Sequence, residues 1–416
     1  MRAAVLGRGA REHAIAWRLT QDLGATNVRI FPGGDGIPGS VPVDPGDDEA
    51  LVAALRREGS ELVVIGPEAM LERGLADHLR ARGFLVVGPG VEGARLESSK
   101  AFAKAFMGAH GVRTARAVAV RGDEADRALS GFQQGAVLKY DGLAQGKGVI
   151  VCGGEGEARL ALAELRGRYG EDATFVIEER LRGPELSLIA MVGGERALLL
   201  PEARDHKRLL DGDLGPNTGG MGAFSPVPDL TAAQRQAVLD DIVAPTLRGL
   251  GSDIPGYRGF LYFGIMLTPQ GPHLLEYNAR MGDPEAQVVL PRIAGSFAEL
   301  CVRCASGDIA SGEAEVTPDH AVAVVIAAEG YPGPLAGEAP ELGDLSRASE
   351  DALVFHAGTR RRGERFVATG GRALSVVGRG STHAEATRRA YQAVERSGAG
   401  ARGLVFRRDV GQEAAP

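Results

Sequence analysis

Two lysines and three glycines in the stretch 137–151, VLKYDGLAQGKGVIV, are the first residues whose types and spacing carry chemistry. Lys139 stands in the β-rich run VLKY, and Lys147 shares a loop with Gly142, Gly146 and Gly148 before the β-rich run GVIV. Glycine lets backbone N–H groups reach phosphate oxygens with no Cβ in the way, and lysine adds a point charge to the same anion. A strand, a glycine flap and a strand suit a nucleoside triphosphate; a plain hairpin with solvated lysines is the alternative. A second group is Glu276 and Asn278 in HLLEYN. Residues two apart share one face of a strand, so a carboxylate and an amide oxygen sit side by side. That pair suits Mg²⁺, which takes oxygen ligands and keeps waters and substrate phosphates in its shell; a polar sheet face is the alternative. Arg280 and Asp283 follow at once and add charge at the same strand end.

Further candidates fall at glycine-rich junctions. Gly7, Arg8, Gly9, Ala10, Arg11, Glu12 and His13 run from a short apolar strand into a helical pattern, a turn that aims helix N–H groups at an anion. The third glycine of a dinucleotide fingerprint is missing, because Glu12 stands in its place. Pro32-Gly33-Gly34 and Gly66-Pro67-Glu68 close two more strands, and Glu68 is placed to hold sugar hydroxyls. A strand over 174–177 runs into EERLRGPE, where exposed main chain can read adenine and a later carboxylate can accept ribose hydroxyls. DHKR at 205–208 and GPNTGGMG at 215–222 read together as a mobile substrate loop.

The elements that must position these groups alternate between strand and helix. Strands are expected over 3–6, 28–31, 62–65 and 85–87, with a helix capped by Asp47 or Asp48 and ended by Gly59 between the second and third. Such alternation predicts a parallel, doubly wound sheet whose ligands gather at the carboxyl ends of its strands. From Ser98, SSKAFAKAFMGAHGV reads as one helix with Phe102, Ala105 and Phe106 on one face and Lys100 and Lys104 nearby, lysines that ordinarily form a solvated face. The runs 260–267 and 273–278 form a hairpin through Thr268-Pro269-Gln270-Gly271. Toward the C-terminus, strands at 321–328, 354–356 and 372–377 and a helix over 383–396 make a small α+β unit, with Gly370-Gly371 as a hairpin turn, His356 as a structural residue and Arg360, Arg361 and Arg362 on a solvated loop.

With 416 residues, the chain has room for two to four units at roughly 100–200 residues each. Its formal charge of −7 argues against nucleic acid and requires positive charge to be concentrated wherever phosphates bind. The three cysteines make no disulfide framework and point to a cytoplasmic setting, with Cys301 and Cys304 as small apolar residues on a helix rather than zinc ligands. No signal peptide opens the chain, and its longest apolar run, at 321–328, is too short for a bilayer.

Taken in order, GRGAREHA, PGG, GPE, SSKAFAK, DGLAQGKGV, DHKR, GPNTGGMGAFSP and EYNARMGDPE resemble the ATP-grasp superfamily and, within it, the phosphoribosylamine–glycine ligase family. The resemblance covers nearly the whole chain. It implies an N-terminal parallel-sheet pre-ATP-grasp domain (1–100), a linking helix (101–120), an ATP-grasp fold with a small flap subdomain (121–184) and a larger subdomain (185–318), and a C-terminal α+β domain (319–416). It implies that Lys104, Lys139 and Lys147, with Gly146 and Gly148, contact ATP phosphates, that Glu178, Glu179 and Leu181 form the adenine hinge, and that Glu185 holds ribose. Glu276 and Asn278 would bind Mg²⁺ or Mn²⁺. Gly9, Arg11, Glu12, Glu68, Asp205, Lys207, Asn217, Thr218, Gly219, Arg280 and Asp283 would meet glycine and 5-phosphoribosylamine, with Lys147, Arg280 and Asp283 closest to the chemistry. The implied reaction is ATP-dependent joining of glycine to phosphoribosylamine through glycyl phosphate, by a monomer acting on small molecules with neither nucleic acid nor membrane as partner.

Two departures stand out. Ala10 replaces a glycine of the family pattern and is expected to narrow the first phosphate loop, and LYFGIML lacks a carboxylate where many ATP-grasp enzymes place another metal ligand. Three other readings compete: another ATP-grasp carboxylate–amine ligase or carboxylase, a nicotinamide oxidoreductase using the first turn, and a nonenzymatic nucleotide sensor.

Overall fold

A computed structural model describes residues 1–122, 124–144, 148–400 and 402–412. The N-terminal segment forms β1 (Ala3–Gly7), β2 (Val28–Pro32), β3 (Leu62–Ile65) and β4 (Leu85–Val87), ordered β2-β1-β3-β4 and parallel throughout. The runs AAVLG and LVVI are buried at every position, as parallel strands covered on both faces require. Helix Ala10–Leu23 follows β1 with Ala10, Ala14, Ile15 and Leu19 turned inward, and Asp47 caps helix Asp48–Arg57 by accepting from Ala50 N–H.

A four-stranded antiparallel sheet comes next, from β5 (Ala117–Arg121), β6 (Ala136–Tyr140), β7 (Val149–Cys152) and β8 (Thr174–Glu179), ordered β5-β8-β6-β7. Helix Glu155–Tyr169 covers it, burying Ala158, Ala161, Leu162 and Leu165. The following segment carries β9 (Glu185–Gly193), β10 (Arg196–Leu199), β11 (Arg204–Asp205), β12 (Arg208–Leu210), β13 (Leu214–Asn217), β14 (Gly222–Ser225), β15 (Arg258–Thr268), β16 (Gly271–Asn278) and β17 (Gly312–Glu313). Five of these make a sheet in the order β16-β15-β9-β10-β17. The last segment supplies β18 (His320–Ala328), β19 (Ala352–His356), β20 (Thr359–Arg362), β21 (Arg365–Ala368), β22 (Arg372–Gly380) and β23 (Leu404–Val405). Its sheet, β11-β14-β18-β22-β19, recruits two strands from 204–225, so the C-terminal unit and the loops around DHKR are built on one surface. Helix His383–Arg396 packs on that sheet through Ala386, Ala390, Ala393 and Val394.

Several local expectations are corrected. The run from Ser98 is not one helix: a helix ends at Ser98, and Ser99 caps a new one, Lys100–Ala109, by accepting from Phe102 N–H at 3.1 Å. Its buried face is Ala103, Phe106 and Met107, while Ala105 is exposed. The cap bends the chain, and Lys100 and Lys104 are carried into a cavity rather than out to solvent. Gly370 and Gly371 do not form a hairpin turn, because β21 pairs with β20 and β22 pairs with β18 and β19. The hairpin is instead β20–β21, turned at Gly363 with φ +61°, so Arg360, Arg361 and Arg362 stand on an exposed strand rather than a loop. The stretch expected to be a mobile loop contains the β12–β13 hairpin, held by the fully buried Arg407, which donates to Asp213 Oδ1 at 2.6 Å and to Arg208 O at 3.3 Å. Ala10 opens helix Ala10–Leu23 and is buried in the core cluster that holds Ala3, Val5 and Ala14.

Candidate functional site

A cavity of about 550 Å³ opens where these units meet, lined by residues from every segment. On one wall Glu178, the penultimate residue of β8, is a buried carboxylate between two ammoniums. Lys104 Nζ lies 3.2 Å from its Oε2, and Lys139 Nζ 2.9 Å from its Oε1. Lys104 also donates to Thr114 Oγ1 at 2.7 Å, and Lys139 to Leu275 O at 2.9 Å. That carbonyl is available because Leu275 is an extra residue of β16, where Gly264 pairs with Glu276 and Ile265 with Leu274. Burial pulls the Lys104 ammonium down to about 8 despite Glu178, and it lowers Lys100, which donates to Gly142 O at 2.9 Å. A polyanion entering here would meet three lysines, two of them with depressed basicity.

Glu276 and Asn278 face the same cavity from β16. Burial opposes ionisation of Glu276, yet Lys207, Lys139, Lys100 and Arg280 outweigh it and hold the carboxyl below its usual range. The Asn278 carboxamide is satisfied when its nitrogen donates to Glu97 Oε1 at 3.1 Å and to Tyr277 O at 3.2 Å, which turns its oxygen away from Glu97. An ionised carboxylate and an amide oxygen two residues apart fit a hard divalent cation. Among the described residues no three His, Cys, Asp or Glu side chains converge as a metal cluster. A cation here would therefore complete its shell from phosphate and water. Nearby, Lys207 pairs with the Glu185 carboxylate. Burial disfavours the Lys207 charge, but Glu185 and Asp205 raise its pKa well above the ordinary value, while burial raises Asp205 against the pull of Lys207.

Another corner is built by the first βα turn and the segment after β16. Arg280 lies 2.8 Å from Glu97 Oε1 through Nη2 and 3.5 Å from Glu68 Oε2 through Nε. Burial would keep Glu68 protonated, but Arg280 and Arg11 draw its pKa down; Glu97, more enclosed, is raised by burial. Arg11 donates to Met281 O at 3.2 Å and to Glu12 Oε1 at 2.6 Å. Glu12 itself turns back under the loop, where its Oε2 accepts from Gly9 N–H at 2.7 Å. A Cβ at Gly7, Gly9 or Gly66 would collide with that carboxylate. The residue that replaces the fingerprint's third glycine is thus the brace on which three glycines close. Asp283 Oδ2 comes within 3.9 Å of where a Gly9 side chain would begin, so Asp283, Arg280 and Arg11 share this corner.

Of the residues singled out in the sequence, Lys104, Lys139, Gly148, Glu178, Arg11, Glu68, Asp205, Lys207, Thr218, Gly219, Glu276, Asn278, Arg280 and Asp283 line one cavity. Gly9, Glu12, Glu179, Leu181, Glu185 and Asn217 do not line it. Glu179 accepts from Arg116 N–H at 2.9 Å beside a different depression, and Asn217 pairs with Arg208 in the β12–β13 hairpin. The Pro32-Gly33-Gly34 loop also stays outside: Gly34 exchanges hydrogen bonds with Ser40, and Gly36 packs against His356. His356 N–H donates to His13 Nδ1 at 2.9 Å, which ties β19 to helix Ala10–Leu23. Gly146 and Lys147 lie outside the described residues.

Models of the three phosphoribosylglycinamide synthetase domains match in order, the N domain over 1–97, the ATP-grasp (A) domain over 98–286 and the C domain over 321–413. A phosphoribosylamine–glycine ligase of Streptomyces coelicolor is 44% identical over 424 residues, covering 100% of both chains, and one of Caulobacter vibrioides is 42% identical, covering 99% of this chain and 97% of the relative. The chain belongs to the phosphoribosylglycinamide synthetase family. The crystal structure of the phosphoribosylamine–glycine ligase from Thermotoga maritima, 36% identical, superposes with a TM-score of 0.83 over 98% of this chain and 100% of that one. The fold is accordingly that of an ATP-grasp enzyme with a parallel-sheet N-terminal unit.

Within this synthetase fold, sequence reasoning passed over Lys100 as a solvated lysine and did not single out Glu97, Tyr331 or Arg372, all four of which line the cavity. Glu97 carried a signal, since it falls on the apolar face of its helix beside Ala94 and Leu96. Arg372 and Tyr331 carried none; only the C-terminal sheet brings them to the site.

Proposed function

We propose that the cavity activates glycine with ATP and transfers the glycyl group to 5-phosphoribosylamine. The reaction is the phosphoribosylamine–glycine ligase step of purine biosynthesis, giving glycinamide ribonucleotide, ADP and phosphate. The observation that carries the site reading is one cavity with a lysine wall (Lys100, Lys104, Lys139) and an arginine corner (Arg11, Arg280), matching ATP and phosphoribosylamine, each of which brings phosphate.

In this reading a glycine carboxylate oxygen attacks the γ-phosphorus, ADP leaves, and glycyl phosphate forms; the amine nitrogen of the second substrate then attacks the glycyl carbonyl, loses a proton, and expels phosphate. Neither step needs an enzyme nucleophile, so the residues act by alignment and charge. Lys104, Lys139 and Lys147 meet the phosphates, with Gly146 and Gly148 allowing close backbone approach. Main-chain groups past Glu178 take adenine, and Glu185, next to Lys207, takes ribose. Glu276 and Asn278 would hold Mg²⁺ or Mn²⁺, which offsets phosphate charge when bound. Arg11 and Arg280 hold the phosphate of phosphoribosylamine, Glu68 its sugar hydroxyls, and Asp283 sits by the amine. Asp205, Lys207 and Thr218 position glycine and exclude water from its acyl phosphate, and Gly219 borders the acceptor corner. What supports a monomer is that one chain supplies every wall. No helix among the described residues is long and apolar enough to cross a membrane, and we propose a cytoplasmic location.

ADP release measured with each of glycine and phosphoribosylamine omitted in turn tests this reading. Full turnover should need both. Release indifferent to glycine would refute the ligase assignment, and release supported by bicarbonate in its place would favour a carboxylase.

A further inference from the structure

The C-terminal unit lines the cavity with Tyr331, Pro332, Gly333, Gly371 and Arg372, and the side chains of Arg372 and Tyr331 hold loops from other parts of the chain. Arg372, the first residue of β22, donates through Nη1 to Gly219 O at 2.6 Å and to Asp283 O at 2.7 Å, and its Nη2 lies 2.8 Å from Asp283 Oδ2. Tyr331 Oη accepts from Gly219 N–H at 2.8 Å. Gln287 Nε2 donates to the other Asp283 oxygen at 2.7 Å. Asp283 is thereby fixed on both oxygens, and the peptide at Gly219 is gripped on both its N–H and its C=O. Gly220 needs its freedom here, with φ +108° and a Cβ position that would overlap Pro284.

We infer that Arg372, with Tyr331, is a positioning residue for the amine-accepting half of the reaction: it sets Asp283 and the Gly219 loop at one fixed separation across the acceptor corner. The inference rests on the functional reading above for which corner takes the amine. Among the described residues Arg372 makes no hydrogen bond or ion pair with Lys100, Lys104, Lys139, Asp205 or Lys207, so glycine activation on that side of the cavity does not depend on it. The guanidinium is required for its shape as well as its charge, because its planar fork serves two carbonyls and a carboxylate at once, whereas an ammonium is a single point donor set on a flexible stem.

The test compares the wild-type full-length chain with Arg372→Lys and Tyr331→Phe in two assays. In the first, hydroxylamine replaces phosphoribosylamine and traps activated glycine as its hydroxamate; in the second, phosphoribosylamine is ligated. For Arg372→Lys the hydroxamate rate and the KM for ATP should stay within about twofold, while kcat/KM for phosphoribosylamine falls about 100-fold, the scale of a misplacement near 1 Å. Tyr331→Phe, which keeps the ring and removes one neutral hydrogen bond, should lower only the second value, by about 3- to 10-fold. Equal loss in both assays for both variants means a structural role and overturns the inference. Unchanged ligation in Arg372→Lys overturns it as well. Should Arg372→Lys fold poorly, Tyr331→Phe decides alone by the same split. A wild-type chain that forms neither product refutes the functional reading itself, an outcome distinct from wild-type ligation that the variants leave intact.

Discussion

Lys104 should make ATP binding fall with rising pH in the range where most lysine-bound anions are insensitive. Its ammonium sits 3.2 Å from Glu178 but is so enclosed that burial brings its pKa to about 8. If the triphosphate binds the charged form, the apparent dissociation constant is the intrinsic value divided by the charged fraction, hence multiplied by about 1.1 at pH 7, about 2 at pH 8 and about 11 at pH 9. Binding must then take up about 0.5 proton at pH 8 and about 0.9 at pH 9. Calorimetric titration with MgATP, without glycine, in two buffers of different ionisation enthalpy reads this uptake directly. Lys104→Gln should bind ATP more weakly and lose the uptake. The ligand-free chain provides an independent check: because the folded pKa lies below the ordinary lysine value of 10.5, the unfolded state holds the extra proton between about pH 8 and 10.5, so this group makes stability rise with pH across that window. Uptake near zero at pH 9 in the wild type would falsify the reasoning, since it would mean that Lys104 is either fully charged without ATP or irrelevant to it.

Three other perturbations separate the parts of the site. Glu178→Gln keeps shape but strands two buried ammoniums, which should cost about 3 kcal/mol in the ligand-free chain. With about 2.1 cal/mol/K of unfolding entropy per residue over 416 residues, the melting temperature should drop by about 3–4 °C if the chain melts as one unit; ATP should recover more stability in the variant than in wild type, and an equal ligand shift would count against the pairing. Glu276→Ala should raise the Mg²⁺ concentration needed for half-maximal turnover at least about tenfold, the cost of about 1.4 kcal/mol in cation binding; an unchanged magnesium titration would reject it as a ligand. Gly66→Ala drives a methyl into the Glu12 carboxylate and should cost about 1–3 kcal/mol of stability while raising the KM for phosphoribosylamine and leaving that for ATP alone; equal changes in both KM values would mean that the Glu12 brace does not serve the acceptor corner specifically.

What could be read in advance follows the range of the interactions. Glu276 and Asn278 were legible because a strand has period two, and Asp47 and Gly59 because caps are local chemistry. The buried parallel strands announced themselves as unbroken apolar runs. The Ser99 cap was missed because the helical pattern on either side hides a break of one residue. Gly370-Gly371 misled because a turn signal says where a chain bends but not which strand it returns to. Glu178 was read for its main chain, and its side-chain role as counter-ion to Lys104 and Lys139 depends on three separated segments meeting. Glu97 and Arg280 are likewise far apart along the chain and meet only in the folded molecule.

The arrangement of opposite charges also explains how so many cations share one space before any substrate arrives. Lys104 and Lys139 share Glu178, Arg280 has Glu97 and Glu68, Lys207 has Glu185, and Arg372 has Asp283. Each of these cations is held at its working position by a carboxylate of the protein, and Lys100 by the Gly142 carbonyl, so a phosphate can be met without first ordering a loose side chain, and the conformational cost falls on folding rather than on binding. The same pairing sets a limit on affinity, because the resident carboxylate repels an incoming anion. Glu178 and Glu97 are both buried and unable to swing into solvent. The substrate phosphates must therefore join these pairs as additional partners rather than displace them, and a cation at Glu276 and Asn278 is what would make that added negative charge tolerable.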